Sequence, residues 1–214
     1  MNIVLSFDLD FTLIDNREGI IHSFHYATKK HGLRKLKTKE IENMIGAPLE
    51  RFFSQISDKD PALLTATFRE YYGKKGIAQV KLLKGVKDKL KELKNSGFKL
   101  GVVTSKKEEM AVKLLKSLKI DQFFAYIFGE TTEIKSKSDP KLKLRLLGRF
   151  PGYEFVVIGD HLSDRELAES LGCPFIGLLT GFHSKAQLEK NCKTKAVVLN
   201  NVNEITKSII DSLF

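Results

Sequence analysis

The sequence predicts an α/β protein whose parallel β-sheet core is interrupted once by a helical insertion. Over most of the chain, short apolar runs typical of buried strands alternate with segments of helical periodicity. Each run is almost continuously apolar, as in parallel strands that helices cover on both faces. This alternation stops only between about residues 16 and 80.

The predicted strands are the apolar runs at 3–7, 98–104, 124–128, 154–160, 174–179 and 195–200. Segments 86–97 and 109–120 have the apolar spacing of amphipathic helices. Gly97 and Gly172 stand where helix C-caps are expected, and Gly85 precedes a helix start. The chain therefore reads as a series of strand–helix–strand units.

The interval 16–80 has helical periodicity and no convincing strand, so it is most simply a cap or lid inserted after the first strand. The predicted architecture is a Rossmann-like parallel-sheet core domain, formed by residues 1–15 and 81–214. An α-helical cap domain, residues 16–80, is inserted into it. A chain of 214 residues is long enough for this arrangement.

The composition is that of an ordinary globular protein, with 42% hydrophobic and 29% charged residues. No apolar stretch approaches the roughly 20 residues that a membrane-spanning helix needs. The first strand is too short for a signal peptide. We therefore expect a cytoplasmic protein with no membrane partner. Cys173 and Cys192 show no metal-ligand spacing, so we expect neither a disulfide framework nor a zinc site.

The charge balance is basic, with 36 Lys and Arg against 26 Asp and Glu and a formal net charge of +10. The lysines are spread along helices and are not interleaved with aromatic residues, as a nucleic-acid platform requires. We therefore expect no nucleic-acid partner. The simplest interpretation is a solvated lysine surface, whose positive field also attracts small anions. We expect a small phosphorylated metabolite as the partner, and we expect the protein to be a monomer or homodimer.

Reactive side chains follow four of the predicted strands, at the edge where parallel sheets bind ligands. They are Asp8, Asp10, Thr104, Ser105, Lys137, Asp160 and Asp164. A single carboxylate after a strand is explained by helix capping. Acids, hydroxyls and a lysine that converge on one edge require a chemical reason.

Phosphoryl transfer through an aspartyl-phosphate provides that reason. Asp8 and Asp10 point the same way in an extended segment, so one can attack phosphorus while the other moves the proton. Clustered acids repel each other and a phosphate, and Mg²⁺ with carboxylate and water ligands compensates. Asp160, with Asp164 behind it, supplies the remaining carboxylate charge for that ion. The hydroxyl of Thr104 or Ser105 and the ammonium of Lys137 then bind the phosphoryl oxygens.

Four segments in order along the chain resemble the motifs of the haloacid dehalogenase-like (HAD) hydrolase superfamily: FDLDFTLID, VVTSK, SKSDP and VVIGDHLSD. The helical insertion, with its stretch IGAPLERFF, is similar to the cap of the phosphoglycolate phosphatase-like subfamily. The resemblance implies a Mg²⁺-dependent phosphatase that hydrolyses a small phosphate monoester, such as phosphoglycolate or a sugar phosphate.

The resemblance also implies individual roles. Asp8 is the nucleophile, and Asp10 is the general acid and base, whose main-chain carbonyl helps bind Mg²⁺. Asp160 is a Mg²⁺ ligand. Asp164 is either a second ligand or an acid that orients the site, and the competing interpretation is a helix-cap acid.

The phosphate-binding roles fall on the remaining residues. Thr104 supplies the second motif's hydroxyl with the Ser105 amide beside it, and Lys137 holds the nucleophile and phosphate together. The competing interpretation of Lys137 is a surface lysine. Arg51, in the cap, is the candidate contact for the anionic end of the substrate.

Two positions depart from the family pattern. Phe11 replaces the usual glycine after the second acid, and Ser138 replaces the usual proline after the lysine, although Pro140 is present. A phosphomutase of the same superfamily is one alternative function. A non-catalytic phosphate-binding protein is another, favoured if Phe11 blocks the site. A dehalogenase is disfavoured because its reaction needs no acid at Asp10.

Overall fold

The computed structural model describes residues 2–42, 44–45 and 48–214. The chain divides into two compact units: Met1–Ile14 together with Leu82–Phe214, and Asp15–Lys81. In the cap-like stretch that begins at Ile45, Gly46 and Ala47 lie outside the described residues.

The strands, in chain order, are β1 Ile3–Phe7, β2 Ile14–Asp15, β3 Lys81–Leu82, β4 Lys99–Lys107, β5 Tyr126–Glu130, β6 Glu154–Gly159, β7 Phe175–Leu178 and β8 Ala196–Leu199. Six of them form one sheet in the order β5-β4-β1-β6-β7-β8, and every neighbouring pair is parallel. The predicted α/β fold class is confirmed.

The structure departs from the strand prediction at three places, and the first is β5, which spans Tyr126–Glu130 where the sequence predicts 124–128. β2 and β3 pair with each other where the chain passes between the two units, and two residues are too short to show a period. β4 continues to Lys107, beyond the predicted end at residue 104, and its register against β5 shifts between Val103 and Lys107. This irregularity lies beside the reactive residues of β4.

The helices are α1 Arg17–Lys30, α2 Thr38–Glu42, α3 Leu49–Ile56, α4 Pro61–Lys74, α5 Val86–Asn95, α6 Glu108–Ser117, α7 Pro140–Arg149, α8 Leu162–Leu171, α9 Lys185–Glu189 and α10 Lys207–Ser212. Asp139 caps the start of α7 with Pro140 in the first turn, and Gly172 ends α8 with φ of 70°. None of the described helices is long and apolar enough to cross a membrane.

The core of the first unit holds the strands in place beneath the site. Every residue of β1 is buried. Val4 of β1, Val157 of β6 and Phe175 of β7 belong to one buried cluster with Leu146 of α7 and Leu167 of α8. Each such side chain contributes about 1.5–3 kcal/mol on burial. The strand ends are therefore fixed by packing beneath them.

The second unit has a core of its own. The ring of Phe24 on α1 lies 4.5 Å from Phe52 and 5.4 Å from Phe53 of α3, and 4.7 Å from Phe68 of α4, measured between centroids. Phe52 and Phe53 are buried. This aromatic cluster holds the helices of the insertion together.

The sheet order places three reactive strand ends side by side. β1 lies between β4 and β6, and Phe7 is in register with Val102 on one side and Ile158 on the other. The strand order reverses at β1, which is where open α/β sheets bind ligands. The chain segments that follow β1, the C-terminal part of β4 and the end of β6 therefore meet at one edge.

Candidate active site

Asp8 and Lys137 form the centre of the site. Asp8 directly follows β1, its backbone N–H donates to the Ile158 carbonyl at 2.8 Å, and its side chain is buried. The Lys137 Nζ lies 2.6 Å from Asp8 Oδ1 and 2.5 Å from Asp164 Oδ1. Lys137 is only 3% exposed, which excludes the interpretation of a surface lysine.

Asp164 both caps a helix and belongs to this cluster. It is the third residue of α8, and its Oδ2 accepts the His161 backbone N–H at 3.1 Å. Its other oxygen contacts Lys137. Gly159 lies directly against the Asp164 carboxyl group, where a Cβ would collide. The two interpretations of Asp164 are thus compatible, because each carboxylate oxygen has a separate contact.

Asp160 follows β6 and is held from two sides. The Thr12 hydroxyl donates to Asp160 Oδ1 at 3.0 Å, so the hydroxyl after the paired acids orients a carboxylate. Gly181, after β7, approaches the Asp160 carboxyl so closely that a Cβ would collide with it. Asp160 is 4% exposed. Its carboxylate position is therefore set by both neighbouring segments.

Asp8, Asp160 and Asp164 each offer one carboxylate oxygen, and these oxygens lie within 4.8 Å of one another. Burial raises the pKa of Asp8 to about 7, with Asp164 and Asp10 adding to the rise and Lys137 opposing it. Burial, with Asp8 and Asp164, likewise raises the pKa of Asp160 well above its ordinary value. Because these buried acids cannot all ionise without compensation, they require a nearby positive charge to be carboxylates at the same time.

Lys137 provides part of that charge. Burial alone would lower its pKa, but the carboxylates of Asp164 and Asp8 outweigh this effect and raise it. The ammonium therefore stays charged between two acids. A hard divalent cation suits the remaining donor set, because oxygen ligands of carboxylates are those that Mg²⁺ prefers. The residues present fit such an ion.

Lys106 is a charged neighbour to which the sequence analysis assigned no role. Its Nζ lies 3.0 Å from Asp10 Oδ2, with side chains 12% and 26% exposed respectively. Its backbone N–H donates to the Thr104 hydroxyl at 3.2 Å. The lysine is the last residue of the segment VVTSK. Because side chains alternate along a strand, the spacing of two residues between Thr104 and Lys106 was the signal that both lie on the same face of β4.

The phosphate-binding candidates are placed differently from one another. Thr104 lies on β4 beside β1 and is buried, whereas Ser105 is exposed. Arg51 lies on α3 in the second unit and is exposed. The structure therefore brings Asp8, Asp160, Asp164 and Lys137 into one cluster, and Arg51 belongs to the other unit.

Phe11 has the left-handed backbone conformation, with φ of 57°. Glycine adopts this conformation without steric cost, which explains why glycine suits the position. The Phe11 N–H donates to the Ile14 carbonyl at 2.8 Å, and its ring is 2% exposed. The ring packs edge-on against Phe182, with centroids 5.0 Å apart and an interplanar angle of 73°.

The segment after β7, residues 180–183, is a part of the site that sequence reasoning missed. Gly181 faces Asp160, Phe182 packs on Phe11, and the His183 ring meets the His161 ring edge-on with centroids 4.5 Å apart. Burial lowers the pKa of His161 to about 4. The position of segment 180–183 directly after the parallel strand β7 was the signal in the sequence that it belongs to the site.

Comparisons with known proteins bear on this site. The profile of the family described as haloacid dehalogenase-like hydrolase matches residues 5–178. A protein of Caldanaerobacter subterraneus subsp. tengcongensis, provisionally named pyrophosphatase PpaX, is 35% identical over 168 residues, 78% of this chain and 76% of that protein. A phosphoglycolate phosphatase of Aquifex aeolicus is 31% identical over 183 residues, 84% of this chain and 85% of that protein.

A solved structure is similar over the whole chain. It is a haloacid dehalogenase-like family hydrolase from Streptococcus pneumoniae, with a TM-score of 0.87 and 28% sequence identity. The alignment covers 100% of this chain and 99% of that one.

Proposed function

This chain belongs to the haloacid dehalogenase-like hydrolases, and from that premise we propose that it is a Mg²⁺-dependent phosphatase acting through an aspartyl-phosphate on Asp8. Membership confirms the resemblance drawn from the four motifs. Relatives named as phosphatases confirm the predicted enzyme class, a phosphoric monoester hydrolase. The metal, the residue roles and the substrate are the content of the proposal.

The observation that carries the proposal is the position of Lys137 between Asp8 and Asp164. A buried lysine shared by two acids favours the ionised form of Asp8 against the effect of burial and holds one of its oxygens, and a nucleophile toward phosphorus requires that carboxylate. The same ammonium lies where it can stabilise negative charge on the transferred phosphoryl group. A purely structural ion pair would not need Asp160 as a third buried acid.

The proposed reaction has two steps. In the first, an Asp8 oxygen bonds to phosphorus, the bond from phosphorus to the leaving oxygen breaks, and Asp10 gives that oxygen a proton. In the second, water bonds to phosphorus while Asp10 takes its proton, and the bond from phosphorus to Asp8 breaks. Inorganic phosphate leaves, and both acids return to their starting states.

The residues that would hold Mg²⁺ are Asp8, Asp160 and the Asp10 main-chain carbonyl, with Asp164 a ligand or an orienting acid. The ion would neutralise charge on the phosphoryl oxygens. Thr12 holds the Asp160 carboxylate in position for this role. Thr104, buried at the end of the same sheet, is the hydroxyl that we assign to the phosphoryl oxygens.

The substrate class that we propose is a small phosphorylated metabolite of the cytoplasm. Two relatives are named for phosphoglycolate and pyrophosphate, which are both small phosphorylated compounds. We assign the helical unit 15–81 the role of a cap that contributes to selecting the substrate, with Arg51 as a candidate contact.

The test is hydrolysis of p-nitrophenyl phosphate by the purified chain, with release of inorganic phosphate measured in parallel. Activity is expected with Mg²⁺ and is expected to disappear with EDTA or in Asp8→Asn. Asp10→Asn is expected to lose several orders of magnitude, because nucleophile and acid–base catalyst act as a unit. Metal-independent turnover, or a fully active Asp8→Asn enzyme, would contradict the mechanism. Release of inorganic phosphate separates hydrolysis from a phosphomutase reaction.

A further inference from the structure

We propose that Lys106 selects substrates whose leaving group carries a negative charge of its own. This inference rests on the proposed function and concerns a residue to which that function gives no role. Lys106 extends from the irregular end of β4, where its backbone N–H is held by the Thr104 hydroxyl. Its ammonium lies 3.0 Å from the Asp10 carboxylate.

The two lysines of the site lie beside different acids. Lys137 contacts Asp8 and Asp164, which are the nucleophile and an acid of the buried cluster. Lys106 contacts Asp10, the proposed proton-transfer residue. The ammonium of Lys137 thus lies with the atoms that receive phosphorus, and that of Lys106 lies with the group that serves the departing oxygen.

The position of the leaving group follows from the reaction. The attacking and departing oxygens lie roughly in line on opposite sides of phosphorus. Asp10 must come within hydrogen-bond distance of the departing oxygen to give it a proton. A cation 3.0 Å from Asp10 therefore lies beside the leaving group, within reach of a charged substituent one or two bonds beyond that oxygen.

Accessibility supports this role. Lys137 is 3% exposed, whereas the side chains of Lys106 and Asp10 are 12% and 26% exposed. The pair formed by Lys106 and Asp10 is thus open enough for a ligand to approach, yet shielded enough for a charge–charge contact to be strong. A carboxylate or a second phosphate is the chemistry that an ammonium in this position recognises.

The experiment compares two pairs of substrates. Pyrophosphate and 2-phosphoglycolate have leaving groups with their own charge, and p-nitrophenyl phosphate and glycerol 2-phosphate do not. Replacing Lys106 by methionine keeps the length of the side chain and removes the ammonium. Because a hydrogen bond to a charged group contributes about 1.5–3 kcal/mol, kcat/KM for the charged pair is expected to fall about 10- to 100-fold, mainly through KM.

The uncharged pair provides the internal reference. For these substrates Lys106→Met loses only the contact with Asp10, which affects kcat/KM for all four substrates alike. The readout is therefore the additional loss for the charged pair relative to the uncharged pair, and circular dichroism shows that the variant is folded. Lys106→Arg is expected to restore part of the preference, since it restores the positive charge. Lys107→Met is the matched control, because Lys107 is the exposed neighbour in the chain. For Lys107→Met, the ratio of kcat/KM between the charged and the uncharged substrate pair is expected to equal that of the unmodified enzyme.

Other outcomes overturn the inference. If Lys106→Met lowers kcat/KM equally for both substrate pairs, Lys106 only positions Asp10. If kcat/KM for the charged pair does not fall, Lys106 contacts no charge of the substrate. In both cases the phosphatase remains active on p-nitrophenyl phosphate, so the proposed function stands. A wild-type protein that hydrolyses none of the four substrates would contradict the proposed function itself.

Discussion

Phe11 combines an unfavourable backbone conformation with a buried aromatic side chain, so replacing it separates two opposing effects. Its φ of 57° favours glycine, whereas its ring is 2% exposed and packs against Phe182. We predict that Phe11→Gly lowers the free energy of unfolding, and that Phe11→Ala lowers it further. This order is the reverse of the usual one for the two small residues.

The sizes of three contributions decide how much each substitution lowers the free energy of unfolding. Removing a buried phenyl ring costs about 3–5 kcal/mol. The left-handed conformation costs a residue with a Cβ about 1–2 kcal/mol, and glycine avoids that cost. Glycine in turn loses about 0.5–1 kcal/mol through its greater freedom in the unfolded chain. Phe11→Gly is therefore expected to lose about 3 kcal/mol, and Phe11→Ala about 0.5–1 kcal/mol more.

The measurement is urea unfolding of the variants, followed by circular dichroism. Phe182 provides the matched control, because it is the aromatic partner of Phe11 and is not one of the described residues with a positive φ. Phe182→Ala is expected to be more stable than Phe182→Gly. If Phe11→Ala equals or exceeds Phe11→Gly in stability, the backbone argument is refuted. A loss below about 1 kcal/mol in Phe11→Gly would refute the contribution of ring burial.

Three further predictions concern the charged cluster. Thr12→Val removes the hydrogen bond to Asp160, and is expected to weaken Mg²⁺ binding about 10- to 100-fold by titration calorimetry; unchanged affinity would contradict the orienting role. Lys137→Met leaves Asp8 and Asp164 buried without their cation, so we expect a loss of about 3–5 kcal/mol in urea unfolding; Lys135→Met, at an exposed position, is the control and is expected to lose little. In EDTA, stability is expected to fall as pH rises from about 4 to about 7. The reason is that folded Asp8, with its pKa raised from 3.8 to about 7, holds its proton more tightly than unfolded Asp8. Thermal melts at pH 5 and pH 8 measure this loss of stability. Asp8→Asn is expected to reduce the difference in melting temperature between the two pH values. Mg²⁺ is expected to raise the melting temperature most at pH 8. A wild-type difference as small as that of Asp8→Asn would contradict this assignment.

The sequence alone predicts the parallel-sheet fold class, the helical insertion and the acids at the strand ends. These features depend on local information, because buried parallel strands are continuous apolar runs and their carboxyl ends share an edge. That logic predicts that Asp8, Asp160 and Lys137 lie at one edge of the sheet. The strand order and the distances between their charged atoms are set by the fold.

The tertiary structure alone decided which side chains pair with one another. Lys106 was visible in its motif, but its contact with Asp10 depends on the irregular end of β4. The dual role of Asp164 depends on α8 starting directly beside Lys137.

Phe11 shows the same division. Its side chain was recognised in the sequence as a departure from glycine, but its backbone angle and its contact with Phe182 come from the fold. That contact joins residues 171 positions apart in the chain. Sequence periodicity describes which face a residue occupies, whereas only packing between distant segments sets the distances on which the chemistry depends.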